Sequence, residues 1–316
     1  MYEFASPAVS VIIPSKYRPP DLERTVKTLL EQTVLPRQLI IVDQSDQSEN
    51  RQRIEKLYAT LPPSIRGSLE LCYVHDNTVV GPIVARNRGM MVASGEILAF
   101  FDDDVCLERT YLEELVAVYN RDRNIVGVSG IITNYPRPPW PQRLWTTLFV
   151  RGNFHDERQP IYWKANQLRE SEPLRVRKFT GACMSFRSEG SRRNSFDENL
   201  PSTFEEDWDF CVSLGPNAKL LIAPRARLLH MRSAPGRSGE HHLRNEARST
   251  HYLYRKHWSR GVNSFLCYCW INLGYGLLAT VGSLRRRSLS PWRAFLSGAT
   301  DGKILARGRS GRVAKN

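Results

Sequence analysis

Two hydrophobic periods alternate over the first hundred residues. Val9-Ser10-Val11-Ile12-Ile13-Pro14 reads as a buried strand closed by a proline, and Asp21 to Gln32 as a helix with Leu22, Val26, Leu29 and Leu30 on one face. Leu39 to Val42 then gives a strand, Glu49 to Leu61 a helix, Leu69 to Val74 a strand, Val84 to Ala93 a helix and Glu96 to Phe101 a fourth strand. Strand, helix, strand in this order implies parallel units with right-handed crossovers, hence a doubly wound α/β sheet. Further on, Tyr111 to Arg121 reads as helix, Ile125 to Thr133 and Lys178 to Arg187 as strands, and Glu205 to Leu214 as helix. Residues 134–173 hold prolines at 136, 138, 139, 141, 160 and 173 and tryptophans at 140, 145 and 163. They read as an irregular excursion that either lines a substrate groove or packs over the sheet.

Sheets of this kind bind ligands outside the carboxyl ends of their strands. Asp43, His75-Asp76 and Asp102-Asp103-Asp104 all lie at such ends. The triplet follows the apolar run Ile97 to Phe101, so three carboxylates emerge where a buried strand meets solvent. In isolation it reads as a solvated acidic turn before it reads as a metal site, and its context in the chain reverses that order. As a site, its oxygen donors suit Mg2+ or Mn2+, which bridge carboxylates to a substrate diphosphate. No GxGxxG follows the first strand, which excludes the dinucleotide-binding fingerprint.

Charge divides the chain. Residues 225–316 carry 18 Lys and Arg against 3 Asp and Glu, whereas the preceding 224 residues sum to −2. A near-neutral body with a basic end points to an anionic surface, either phospholipid head groups or nucleic acid. Between Gly261 and Leu284 lie 24 residues without a formal charge. That length suffices to cross a bilayer, and the segment reads as a spanning or re-entrant helix, an interfacial one, or one packed on a soluble domain. Positions 272, 276, 280 and 283 would give it a small or polar packing stripe. Arginines flank both ends, so they do not orient it. The tail from Arg285 has nine basic residues and one acidic, and reads as a disordered or membrane-apposed arm. Six cysteines without CxxC spacing suggest a reducing compartment, and Met1 to Pro7 shows no secretory pattern, so a cytoplasmic site of action is expected.

In order along the chain stand VSVIIPSKYRPPDLERTVKTLLEQT at 9–33, LIIVDQSD at 39–46, ARNRGMMVASGEILAFFDDD at 85–104, FTGACMSFR at 179–187 and FDENLPSTFEEDWDF at 196–210. Together these pieces resemble the family 2 glycosyltransferases. The resemblance implies a GT-A fold, a Rossmann-like mixed but mostly parallel sheet flanked by helices, over residues 1–230. It leaves 231–260 as a basic loop and helix closing the site, 261–284 as a membrane-associated apolar helix and 285–316 as the basic tail. It also implies a nucleotide-sugar donor, with a UDP-sugar the leading candidate, and Mn2+ or Mg2+ on a DxD-type motif. Asp104 is then the first metal ligand, with Asp102 and Asp103 contacting metal, ribose or metal-bound water. Asp43-Gln44 matches the acidic pair that reads the nucleobase. Gln44 departs from that pattern and leaves uracil, thymine and guanine open. Arg86 matches an element of the nucleotide pocket and reads as a phosphate partner or a surface helix arginine. His230 matches a late position that some relatives use as a metal ligand, and otherwise reads as structural.

Asp207, in Glu205-Glu206-Asp207, matches the family's catalytic base, with Glu206 as an acceptor contact or orienter. A helix N-terminus there would keep Asp207 ionised. These readings describe a hexosyltransferase that deprotonates an acceptor hydroxyl and inverts the anomeric carbon. The QxxRW signature of processive relatives is absent, the nearest stretch being Tyr254-Arg255-Lys256-His257-Trp258, so one sugar or few are transferred. The acceptor expected is a glycan or lipid-linked molecule of polysaccharide or glycolipid synthesis, met at the inner face of a membrane. Two rivals are weaker. A nucleic-acid-binding protein rests on basicity alone, with no recognition motif, so nucleic acid is not expected as a partner. A nucleotidyltransferase needs a glycine-rich loop where Pro14-Ser15-Lys16-Tyr17-Arg18 stands.

Overall fold

A computed structural model describes residues 7–47, 49–191, 194–200, 205–231 and 239–313. Along the chain run β1 (Val9–Ser15), α1 (Pro19–Leu30), β2 (Gln38–Asp43), α2 (Glu49–Ala59), α3 (Pro63–Ser68), β3 (Glu70–His75), α4 (Pro82–Val92), β4 (Ile97–Phe101) and β5 (Val105–Leu107). There follow α5 (Tyr111–Arg121), β6 (Ile125–Ile132), α6 (Trp140–Phe149), α7 (Arg158–Trp163), β7 (Leu174–Val176), β8 (Cys183–Arg187) and α8 (Ser188–Ser191). Then come α9 (Glu206–Ser213), β9 (Lys219–His230), α10 (Gly239–Leu253), α11 (Val262–Arg286) and α12 (Ser290–Val313).

The chain forms two compact units. One comprises Met1–Pro136, Glu157–Glu198 and Glu206–Ser233, the other Arg137–Asp156, Asn199–Glu205 and Ala234–Asn316. The first holds a sheet in the order β3-β2-β1-β4-β8-β6-β9-β5, with β7 also on β9. Strands β3, β2, β1 and β4 are parallel, as the alternation of strand and helix requires. Every residue of β1, β2 and β4 is buried. Both faces are covered, so these strands are continuous apolar runs, and each fully buried Ile, Leu or Phe contributes about 1.5–3 kcal/mol. Beyond β4 the sheet becomes mixed, because β8 runs antiparallel to both β4 and β6. On α1 the buried face is Leu22, Thr25, Val26 and Leu29. Thr25 takes the place expected for Leu30, and its hydroxyl lies 2.9 Å from the Asp103 carbonyl and 2.8 Å from that of Val105.

Residues 134–173, which are divided between the two units, depart from the expected irregular coil. They contain α6 and α7, and α6 packs on α11, where the Trp145 indole N–H donates to the Gly274 carbonyl at 3.0 Å. Prolines at the first turn of α6 are tolerated, because their missing N–H groups need no partner there. The basic tail also differs from the expected disordered arm, being helical over Ser290–Val313. A Cβ at Gly298 would lie 2.2 Å from the Arg244 carbonyl oxygen and one at Gly302 2.6 Å from that of Arg248. Two glycines four residues apart thus let α12 lie directly against α10. On α11 the packing face is Ile271, Gly274, Tyr275 and Ala279 rather than the expected 272, 276, 280 and 283. Thr280 is exposed. Residues 232–238 of the basic loop expected to close the site lie outside the described residues.

Candidate active site

Strand register assembles the acidic end of the site. The triplet forms the turn between β4 and β5, and β5 pairs antiparallel with the end of β9 so that Val105 faces His230. The Met231 N–H donates to the Asp104 carbonyl at 2.8 Å, fixing the approach. His230 Nε2 therefore lies 3.0 Å from Asp104 Oδ1 and 3.8 Å from Asp102 Oδ2. One ligand atom from each of Asp102, Asp104 and His230 lies within 4.8 Å of the others. Two carboxylates and an imidazole form a donor set that fits Mn2+ well and Mg2+ through the oxygens.

Asp103 points elsewhere. Its Oδ2 accepts from the Ser15 hydroxyl at 2.7 Å and its Oδ1 from Arg18 Nη1 at 3.2 Å. Burial pushes its carboxyl up to about 6, against the opposing pull of Ser15 and Arg18. The same Arg18 nitrogen donates to Asp104 Oδ2 at 3.1 Å. Arg18 follows Tyr17, a non-glycine residue at φ 55°. Backbone held in that region is of the kind found at ligand clamps.

Arg86 is the junction of the site. It is 2% exposed on α4. Its Nη1 donates to Glu206 Oε1 at 2.8 Å, and its Nη2 to Asp102 Oδ1 at 3.1 Å and to the Gly181 carbonyl at 3.2 Å. The fork expected to meet phosphate is thus occupied by carboxylates from two separate motifs. A Cβ on Gly181 would lie 3.0 Å from Arg86 Nη2 and 3.3 Å from Glu206 Oε1, so side-chain bulk there would press on the junction.

Asp207 is the second residue of α9, which opens at Glu206 directly after Glu205, itself at φ 60°. Its Oδ2 accepts from the Gly181 N–H at 2.8 Å and from Arg158 Nη1 at 3.3 Å, while Oδ1 accepts from the Trp208 N–H at 2.7 Å. Burial raises its pKa in spite of Arg158 and the two amides, with the neighbouring Glu206 carboxylate adding to the rise. The helix N-terminus therefore does not dominate the electrostatics here. A buried carboxylate with a raised pKa binds a proton more readily, as a general base requires.

At the far end of the sheet, Asp43 and Gln44 are held by the protein. Asp43 accepts four hydrogen bonds, from Ser45 N and Oγ, Asn50 Nδ2 and the Tyr73 hydroxyl, at 2.6–3.0 Å. That matches the lone-pair capacity of a carboxylate. Gln44 Oε1 accepts from the Gly81 N–H at 2.7 Å, ahead of α4. The two residues shape the end of β2. Sequence reasoning assigned no role to Ser15, Arg18, Arg158 or Gly181. Arg18 and Gly181 lie inside the stretches quoted above, whereas Arg158 stands in the proline-rich excursion and carries no local signal.

The geometry has counterparts in known proteins. The sequence model of Glycosyl transferase family 2 matches residues 10–191. The chain is 30% identical over 138 residues to a validoxylamine A glucosyltransferase of Streptomyces hygroscopicus subsp. limoneus, covering 43% of this chain and 29% of that protein. Matched stretches span 29 to 56% of the curated relatives' own lengths. The fold is similar to that of S. aureus TarS 1-349 in complex with UDP-GlcNAc, with a TM-score of 0.61 at 16% identity over 95% of this chain and 81% of that one. It is also similar to the mannosyltransferase PcManGT from Pyrobaculum calidifontis in complex with GDP-Man and Mn2+, with a TM-score of 0.56 at 17% identity over 99% of this chain and 89% of that one. With the ordered motifs, the mixed sheet and the acidic strand end in place, this match over more than half its length makes the chain a member of glycosyl transferase family 2.

Proposed function

We propose that this glycosyltransferase moves a hexose from a nucleotide-sugar donor, a UDP-sugar, to a hydroxyl of a glycan or lipid-linked acceptor, inverting the anomeric carbon, at the cytoplasmic face of a membrane. The observation that carries this reading is the junction at Arg86, one buried guanidinium that ties Asp102 at the diphosphate end to Glu206 beside the candidate base. Donor and acceptor groups are thereby fixed in one frame, which is what a single displacement between two bound substrates needs. TarS in complex with UDP-GlcNAc supports a UDP-sugar, and PcManGT in complex with GDP-Man and Mn2+ supports a divalent ion on the same fold.

Asp102, Asp104 and His230 would hold Mn2+ or Mg2+, which when bound offsets charge developing on the departing diphosphate. Arg18 adds a guanidinium beside Asp103 and Asp104 at the same strand ends, suited to phosphate. Asp207 takes the acceptor hydroxyl proton at Oδ1, while the Gly181 N–H and Arg158 hold Oδ2. The acceptor oxygen forms the new bond to the anomeric carbon as the bond to the diphosphate oxygen breaks, and the nucleoside diphosphate leaves with that electron pair. Glu206, tethered to Arg86, orients the acceptor.

Calorimetry with UDP-, dTDP- and GDP-sugars, with and without Mn2+, tests the donor site in the wild type and in Asp104→Ala. Metal-dependent binding of the UDP-sugar, lost in the variant, is expected. A folded wild-type protein that binds none of the three overturns the reading.

A further inference from the structure

In the second unit, α11 buries Ile271, Gly274, Tyr275 and Ala279. Its other side is open. Leu266, Trp270, Leu273, Leu277, Val281 and Leu284 recur every three or four residues, forming one stripe. Leu266 and Leu273 are each 59% exposed and Leu284 74%. On α6, Trp140, Leu144 and Leu148 recur every four residues and are exposed as well. The two rows are neighbours, since the Trp270 indole N–H donates to the Leu148 carbonyl at 2.8 Å and the Trp270 ring lies 5.4 Å from Phe149. Contiguous apolar surface of this kind marks a docking site.

Charge decides the occupant. Val262 to Leu284 contains no charged residue, and exposed Arg285, Arg286 and Arg287 follow directly, of which Arg286 is paired with Glu240. At that end a groove of about 410 Å³ sets Arg287 beside Leu284, Leu289 and Trp292. A cation next to an apolar wall matches a lipid phosphate and its acyl chain. A second copy of the chain would bring like charges together, whereas an anionic bilayer complements them.

Depth is set by the middle of α11. The Tyr275 hydroxyl donates to Glu246 Oε2 at 3.2 Å and lies 3.2 Å from Thr250 Oγ1, both on α10. Among the described residues α11 is the one helix long and apolar enough to cross a membrane. Crossing would draw Glu246, Arg244 and Arg248 of α10 towards hydrocarbon, where each charged residue costs about 2.5–3.5 kcal/mol or more. A helix in the interfacial plane avoids that cost.

We infer that α6 and α11 form a monotopic docking face for anionic phospholipid, lying in the bilayer interface rather than through it. The inference does not depend on the sugar-transfer reading. The test is sedimentation of the full chain with vesicles of phosphatidylcholine, alone or with phosphatidylglycerol, for the wild type and for Leu273→Glu/Leu277→Glu. Both leucines are exposed, so the variant should keep the wild-type melting temperature. Expected is binding to the anionic vesicles that is weakened by salt, released by alkaline carbonate, and reduced at least ~10-fold per leucine in the variant. Failure to bind anionic vesicles, or binding that the variant retains, overturns the inference. So does resistance to the alkaline wash, which indicates a spanning helix, and so does a wild-type dimer that the variant dissociates, which assigns the face to a second copy.

Discussion

Replacing Arg86 should damage stability and metal binding together. The guanidinium is 2% exposed and holds Glu206 at 2.8 Å and Asp102 at 3.1 Å. Arg86→Met keeps most of the apolar stem, removes the charge and leaves two carboxylates uncompensated. Breaking a fully buried pair by deleting one partner costs about 3–5 kcal/mol. Asp102 is 31% and Glu206 13% exposed, so both recover some hydration. We therefore expect a loss of about 2–3 kcal/mol, which lowers Tm by roughly 3–5 °C in a protein of this size. Arg86→Lys supplies a point charge that serves one carboxylate at a time, so it should restore part of the stability without restoring the geometry. Since Asp102 is a candidate ligand, the Mn2+ concentration for half-maximal sugar transfer should rise ~10–100-fold in Arg86→Lys, as for other residues that orient metal ligands. Thermal unfolding with and without Mn2+, followed by Mn2+ titration of activity, measures both effects. An Arg86→Lys protein with wild-type Tm and wild-type Mn2+ dependence would refute the junction.

Four further outcomes are expected. Asp207→Asn should lower kcat by ~10²–10⁴-fold with the fold intact, and Arg158→Met, which removes a charge that lowers the Asp207 pKa, should move the acid limb of the pH–rate profile upward; an unmoved limb would separate Arg158 from the base. Gly298→Ala should destabilise the second unit by about 1–3 kcal/mol, because its Cβ meets a backbone carbonyl that cannot step aside, and urea unfolding reads the loss. His251, mostly buried on α10, is lowered to about 4 by burial and by Lys303 and Arg255. The unfolded chain therefore takes up a proton first on acidification, near the ordinary histidine value. Stability should fall as pH drops from about 6.5 towards 4, by about 2 kcal/mol after allowing for partial solvation, and His251→Gln should flatten that slope in denaturation at pH 7.5 and 5.

How much of the fold could be read in advance followed from which forces act locally. Strands β1, β2 and β4 are apolar on both faces because the sheet covers both, and runs of that kind are visible in sequence. Strands β5 and β7 are three residues long, too short to show a period. β9 continues through Pro224 to His230 because its pairing with β6 breaks register between Ile222 and Arg227, leaving the proline without a ladder bond to donate. α6 hid behind prolines that occupy its first turn, and α12 behind glycines whose use is contact with α10.

The candidate site divides along the same line. Acids at strand ends and at the head of a helix are legible, because they stand within the ordered motifs of the family. Their basic partners are not, because an arginine looks alike on a solvated face and in a buried junction. Arg18 reaches Asp103 and Asp104 across 85 and 86 residues, Arg158 reaches Asp207 across 49, and Arg86 reaches Glu206 across 120. Each pairing exists only after the sheet has set its register. Arg86 could be marked as belonging to the site, while its carboxylate partners could not, since a guanidinium fork fits phosphate and carboxylate equally well. What distinguishes the two is occupancy. With Glu206, Asp102 and the Gly181 carbonyl bound to both terminal nitrogens of a guanidinium that is 2% exposed, a phosphate would have to displace a carboxylate, whereas Arg18 meets Asp103 and Asp104 through Nη1 and, 35% exposed on its side chain, can turn towards a phosphate at less cost. The diphosphate is therefore expected to depend on Arg18, and the alignment of the two carboxylate groups on Arg86.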